Sequence, residues 1–299
     1  MSDDIATTRG RIGARVVGRV RELELALATV SAGRDLVLEG PPGTSKTTML
    51  QAITDEWGIP LFFVEGNADL TPAKLVGHFN PARVLREDYG PETFVPGPLL
   101  RAMTDGAFLY IEEFNRAPEE TLNTLLTAMA DRRVEVPRAG TFTARSTFRV
   151  IASMNPFDNI GTTRLSTSVT DRLNRIVVDY QDEDAEQDIV RLRAASAVTE
   201  RIVVDAVAVT RATRAHEAVR QGSSVRGAID LALVAAELGR LREVDEATVD
   251  YPAMFFDAML VALSGRIRVD EAADKTPEWV LRDIWEDRFV LQPAAAAPG

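Results

Sequence analysis

The sequence predicts an α/β fold in which a parallel sheet of five strands is covered by helices on both faces and followed by a helical domain. Two observations carry this. Up to Tyr180, short β-branched runs alternate with helix-length segments; from Gln181 onward the strand signal stops and amphipathic helical periodicity takes over. A chain of 299 residues has room for one large core and a smaller one.

Taken in order, Met1–Arg11 is polar and unpatterned and is expected to fray. Strands are expected at Asp35–Glu39, Leu61–Glu65, Phe108–Ile111, Arg149–Met154 and Arg175–Tyr180. The intervals between them are long enough for the crossover helices that parallel strands need. Helices are then expected at Asp182–Ser196, Ile202–Arg220, Ser224–Gly239, Asp250–Leu263 and Glu278–Arg288. The boundary falls near Tyr180–Asp184, giving domains at 1–181 and 182–290, and the Ala/Pro-rich residues 291–299 read as a disordered tail.

Composition excludes several chemistries. With no cysteine there are no disulfides, thiolate metal sites or cysteine nucleophiles, and two histidines cannot build a His-rich metal centre. Lys and Arg total 34 against 45 Asp and Glu, a formal charge of −11 that opposes a large surface for nucleic-acid phosphates. No leader pattern and no membrane-length apolar run are present, so a soluble, cytoplasmic protein is expected.

The segment Asp35–Leu50 reads as a strand, a tight Gly/Pro loop and a helix starting near Lys46. A polyphosphate needs converging backbone N–H donors, a cation at its end and a helix N-terminus aimed at its charge. Gly40, Pro41, Pro42, Gly43, Thr44, Ser45, Lys46, Thr47 and Thr48 supply that order, which makes ATP the expected ligand. Gly40 and Gly43 permit a curled backbone, Lys46 reaches the β- and γ-phosphates, and the Thr47 hydroxyl ligates Mg²⁺. The pattern G-x-x-x-x-G-K-[ST] has glycine where Ser45 stands; a small residue fits there if its φ is already helical.

The segment Ala107–Arg116 is an apolar strand ending in two carboxylates, the arrangement of a Mg²⁺ and water site beside such a loop. Glu112 supports the metal, where most such motifs carry Asp, and Glu113 polarises the attacking water as general base. The strand Arg149–Met154 leads into Asn155, whose side chain is placed to hold that water or the γ-phosphate.

Together these residues resemble the MoxR family of AAA+ ATPases, from Val17 to about Val269. Val17-Gly18 precedes the first helix and counts with the nucleotide contacts. Leu70-x-Pro72-x-x-Leu75-x-Gly77 follows the second strand, and Phe94-x-Pro96-Gly97-Pro98-Leu99 precedes the acidic one. The longest match runs from Glu112 to Met129. The resemblance implies an αβα P-loop core with strand order 5-1-4-3-2, a C-terminal helical lid, and ring oligomers, typically hexamers. It also implies that Arg172, in the pair Asp171-Arg172, is an arginine finger for the neighbouring subunit, with Arg175 and Arg164 as alternates. Arg226, in Gly222-Ser-Ser-Val-Arg226, would be a second sensor of the γ-phosphate. Gly90–Leu100 would be an insert and Arg133–Ala144 a hairpin, both facing the pore or a client. The implied activity is ATP-driven, chaperone-like remodelling or maturation of a protein client, often with a partner bearing a von Willebrand factor A domain. Two other readings stand beside it. Arg132, Arg133, Arg138 and Arg145 could serve a DNA-dependent motor, and Ser45 with Glu112 could mark an ATP-binding switch or scaffold of very slow turnover.

Overall fold

Side-chain alternation along the central strands builds the first core. In the computed structural model, which describes residues 5–13, 15–155, 165–194 and 198–291, the chain divides into two compact units, Met1–Asp179 and Tyr180–Gly299. The first unit contains β1 (Leu36–Glu39), β2 (Leu61–Glu65), β3 (Gly77–Phe79), β4 (Phe94–Pro96), β5 (Phe108–Glu112), β6 (Arg133–Val136), β7 (Gly140–Thr143), β8 (Arg149–Met154) and β9 (Asn174–Val177). Five of these form one parallel sheet in the order β2-β5-β8-β1-β9. Counted along the chain this is 2-3-4-1-5, the expected order read from the other edge.

Leu36, Leu38, Phe108, Tyr110 and Ile151 point to one face, where Leu23, Leu27, Met49 and Ile53 of the helices Val20–Ser31 and Lys46–Trp57 cover them. Val37, Leu109, Ile111, Val150 and Ala152 point to the other, under Leu99, Leu100 and Met103 of Pro98–Asp105 and Leu122 and Leu125 of Glu119–Asp131. The three central strands β1, β5 and β8 are buried on both sides, as a parallel sheet with crossover helices requires, while the edge strands β2 and β9 are partly exposed.

Two local expectations change in this unit, and a third is met. Within Met1–Arg11, residues from Ile5 on are not frayed: Ile5–Gly13 is a helix with Thr8 and Ile12 fully buried, and Arg11 pairs with Glu56. A single buried isoleucine gives no periodic signal. The insert begins earlier than Gly90–Leu100, at the antiparallel pair β3–β4, with the helix Pro81–Glu87 between them, capped by the Asn80 side chain. The β6–β7 pair forms the hairpin at Arg133–Thr143, and Phe94 of the insert lies 5.9 Å from its Phe142.

The second unit is built from the helices Glu183–Ala194, Glu200–Ala215, Val225–Arg242, Tyr251–Leu263 and Pro277–Glu286 around Val203, Val207, Leu231, Tyr251, Phe255 and Leu263. Here strands do recur: β10 (Val219–Gln221) pairs antiparallel with β11 (Arg268–Val269). The helix expected to reach Arg220 therefore ends at Ala215. Strands of two and three residues are too short for a period-2 pattern to register. Of the expected tail 291–299, Leu291 instead closes the helical turn Asp287–Leu291 and the remainder lies outside the described residues. No helix among those described is long and apolar enough to cross a membrane.

Candidate active site

Parallel register brings the carboxyl ends of β1, β5 and β8 to one edge of the sheet, since Glu39 is level with Met154 and Ile111 with Ala152. In open α/β sheets ligands bind outside those ends, where the strand order reverses. Gly40 continues from β1 into this edge, its N–H donating to the Met154 carbonyl at 3.0 Å. A Cβ on Gly40 would sit 1.9 Å from the Val178 carbonyl oxygen, so close packing of the loop against the chain after β9 admits only glycine.

From there the loop curls. Gly43 has φ 75°, and Ser45 caps the helix Lys46–Trp57 in the left-handed region at φ 64°, ψ 19°. The right-handed helical φ expected of Ser45 is thus corrected: the chain must reverse to aim the helix N-terminus at the loop's concavity, and a Cβ there carries strain. Thr44 is buried and its hydroxyl donates to the Pro41 carbonyl at 2.9 Å. Lys46, 9% exposed, donates from Nζ to the carbonyls of Gly40 (2.9 Å) and Pro41 (2.6 Å) and to Thr44 Oγ1 (3.1 Å). The ammonium is therefore held over the loop by oxygens that phosphate oxygens can replace. Pro42 and Thr48 are exposed on its rim.

Thr47 faces the acidic strand. Its Oγ1 lies 3.5 Å from Glu112 Oε1 and 3.2 Å from the Tyr110 hydroxyl, which donates to Ser153 Oγ at 2.9 Å. Among the described residues no group of three His, Asp or Glu side chains gathers to hold an ion. A hydroxyl and one carboxylate suit Mg²⁺, which keeps waters and binds through few protein oxygens plus substrate phosphates. These residues thus fit an ion that arrives with a nucleotide.

Glu113 leaves the strand at φ 51°, ψ 42°, also left-handed, and its carboxylate is 3.2 Å from Arg116 Nη1. Gly66 allows that turn: its N–H donates to the Glu112 carbonyl at 2.7 Å, and a Cβ on it would lie 2.4 Å from the Glu113 carbonyl oxygen. Asn155 follows β8 at the same edge, with its carbonyl accepting from Asn115 Nδ2 at 3.4 Å. Val17 and Gly18, the latter at φ 68°, precede Arg19, which reaches the Asp179 carbonyl just after β9.

The chain brings Gly40–Thr48, Glu112, Glu113 and Asn155 together at this edge. Arg172 follows the short helix Thr167–Thr170; it is exposed and donates to the Ser168 carbonyl at 3.0 Å. Arg175, the alternate finger, is instead clasped by both carboxylate oxygens of Glu39. Arg164 lies outside the described residues. Arg226 is exposed on the first turn of Val225–Arg242 and belongs to the second unit. Sequence reasoning passed over Tyr110 and Ser153. The available signal was a hydroxyl-bearing side chain two positions before Glu112 and another two before Asn155, each therefore on the same strand face as its partner.

Residues 35–173 match the family of AAA domains, dynein-related subfamily. This segment is similar to an AAA domain. It opens at the residue before β1 and closes at the residue before β9, so it includes the loop, the acidic strand and Asn155. The five-stranded parallel sheet, the loop after β1 and the helical second unit give the chain an AAA+ P-loop fold. An uncharacterized protein of Staphylococcus epidermidis is 27% identical over 233 residues, spanning 76% of this chain and 88% of its own. A candidate ATPase of Cytophaga hutchinsonii superposes with a TM-score of 0.53 at 21% identity, covering 94% of this chain and 92% of that one. NtrX of Brucella abortus, solved in complex with ADP, gives 0.55 at 22% identity over 84% of this chain and 58% of its own. Both likenesses concern the fold.

Proposed function

We propose that the protein is a MoxR-like ATPase that hydrolyses MgATP at sites shared between subunits of a ring, a hexamer by resemblance, in the cytoplasm. It couples turnover to remodelling or maturing a protein client, with a von Willebrand factor A domain protein as partner. The observation that carries this reading is the juxtaposition of Lys46 and Thr47, which follow the left-handed loop after β1, with Glu112 and Glu113 at the end of β5, on the far side of β8.

In this reading Lys46 exchanges the Gly40 and Pro41 carbonyls for phosphate oxygens. Thr47 and Glu112 hold the metal, which when bound neutralises charge on the phosphates. Glu113 accepts the proton of the attacking water, and Asn155 orients that water. Arg172 is supported by its exposure and its lack of an ion pair among the described residues, which leave it able to reach a neighbouring subunit. Arg226 in a helical lid senses the γ-phosphate in cis, and residues 182–290 act as that lid. The net charge of −11 favours a protein client over DNA.

The test is steady-state ATPase activity across protein concentration, with sizing in ATP. Specific activity is expected to rise with concentration. Glu113→Gln should bind ATP and lose about 10²–10⁴ in rate, and Arg172→Ala should assemble but lose roughly 10³–10⁵. Normal hydrolysis by Arg172→Ala would refute the shared site. Tight binding without turnover at any concentration would make the protein an ATP-dependent switch, and stimulation by DNA would replace the protein client with nucleic acid.

A further inference from the structure

A buried hydroxyl chain runs beside the phosphate loop, and the roles above do not use it. Tyr110 is fully buried on β5, its ring edge-on to Phe63 at 5.7 Å between centroids. Its hydroxyl donates to Ser153 Oγ on β8 at 2.9 Å and stands 3.2 Å from Thr47 Oγ1. Phenylalanine would fill the same space, so packing does not account for the hydroxyl.

Counting protons gives it a task. A hydroxyl has one proton and two lone pairs. Tyr110 gives its proton to Ser153, so toward Thr47 it acts as acceptor. Thr47 also has one proton, and two acceptors within reach: Tyr110 at 3.2 Å and Glu112 Oε1 at 3.5 Å. Tyr110 is the nearer acceptor, and 3.5 Å lies at the outer limit of a hydrogen bond, so Tyr110 is the better placed to take that proton.

We infer that Tyr110 is a positioning residue for the magnesium ion of the ATP site: by accepting the Thr47 proton, with Ser153 fixing its own, it keeps the Thr47 lone pairs available to the ion. This rests on the MgATP reading above. It also gives the shorter carboxylate of the usual motif a substitute constraint, because Glu112 is long and its 3.5 Å contact alone would orient Thr47 weakly.

The test is binding of a fluorescent ATP analogue to the full chain, first in EDTA and then titrated with Mg²⁺. Tyr110→Phe is expected to leave the EDTA affinity within about two-fold of wild type and to raise the Mg²⁺ midpoint about five-fold, the worth of one hydrogen bond. Ser153→Ala, which frees the Tyr110 proton to turn toward Thr47, should shift the midpoint the same way by less. A midpoint unchanged in Tyr110→Phe, or an equal loss of affinity in EDTA, would overturn the inference while the wild-type Mg²⁺ response kept the nucleotide reading intact. Should Tyr110→Phe not fold, the unshifted midpoint of Ser153→Ala overturns it. A wild type that binds no nucleotide removes both.

Discussion

Ser45 is the position where sequence pattern and backbone geometry disagree most usefully. It holds a Cβ at φ 64°, ψ 19°, where the family of such loops carries glycine. A left-handed conformation costs an L-residue roughly 1–2 kcal/mol, whereas glycine loses about 0.5–1 kcal/mol more chain entropy on folding than alanine. The difference leaves glycine favoured by about 0.5–1 kcal/mol. Ser45→Gly and Ser45→Ala both remove the hydroxyl and differ only in the Cβ, so comparing them isolates the strain. Urea unfolding followed by far-UV circular dichroism should place Ser45→Gly above Ser45→Ala by that amount. In a right-handed helical position the order would reverse, with alanine ahead by about 1 kcal/mol. Alanine ahead of glycine would therefore refute the left-handed assignment and the strained-loop argument with it.

Two further outcomes follow from burial. Gly40→Ala forces a Cβ to within 1.9 Å of the Val178 carbonyl oxygen, backbone against backbone; it should cost about 3 kcal/mol or more and abolish binding of the fluorescent ATP analogue, and wild-type binding by this variant would show that the loop does not pack on that chain. Asp35 is buried at the opposite end of β1, where burial pushes its carboxyl up against the opposing pull of the Val150 N–H at 2.7 Å and of Arg132, Arg149 and Arg34. An acid whose pKa is raised by folding binds more protons folded than unfolded, so its contribution is greatest below the unfolded value near 4 and declines as pH rises through the folded one. Asp35→Asn should flatten that part of the stability–pH curve in urea unfolding at acid and neutral pH; an unchanged slope would mean that folding does not raise the Asp35 pKa.

Much of the site was legible in the sequence because its parts are local. The loop Gly40–Thr47 spans eight consecutive residues, and Glu112-Glu113 closes an apolar run; each can be recognised within one window. Strand positions followed from the same kind of signal, since residues alternating between two buried faces leave a near-continuous apolar run bounded by turns; the sheet order came from the family resemblance. Composition added that no cysteine chemistry was possible.

What tertiary structure decided involves residues far apart or backbone signs that side-chain type does not encode. The Tyr110 hydroxyl meets Thr47 across 63 positions and Ser153 across 43, and only the register of β5 beside β8, with the loop after β1, sets those meetings. Ser45 and Glu113 adopt positive φ because the chain must turn back over the strand ends, a demand made by the sheet and not by serine or glutamate. Ile12 is buried because a helix finds the flank of Lys46–Trp57. Sequence fixes what is periodic or contiguous, because such order is repeated in every window; a single hydrogen bond between distant strands is specified once, by packing, and appears only when the chain is folded.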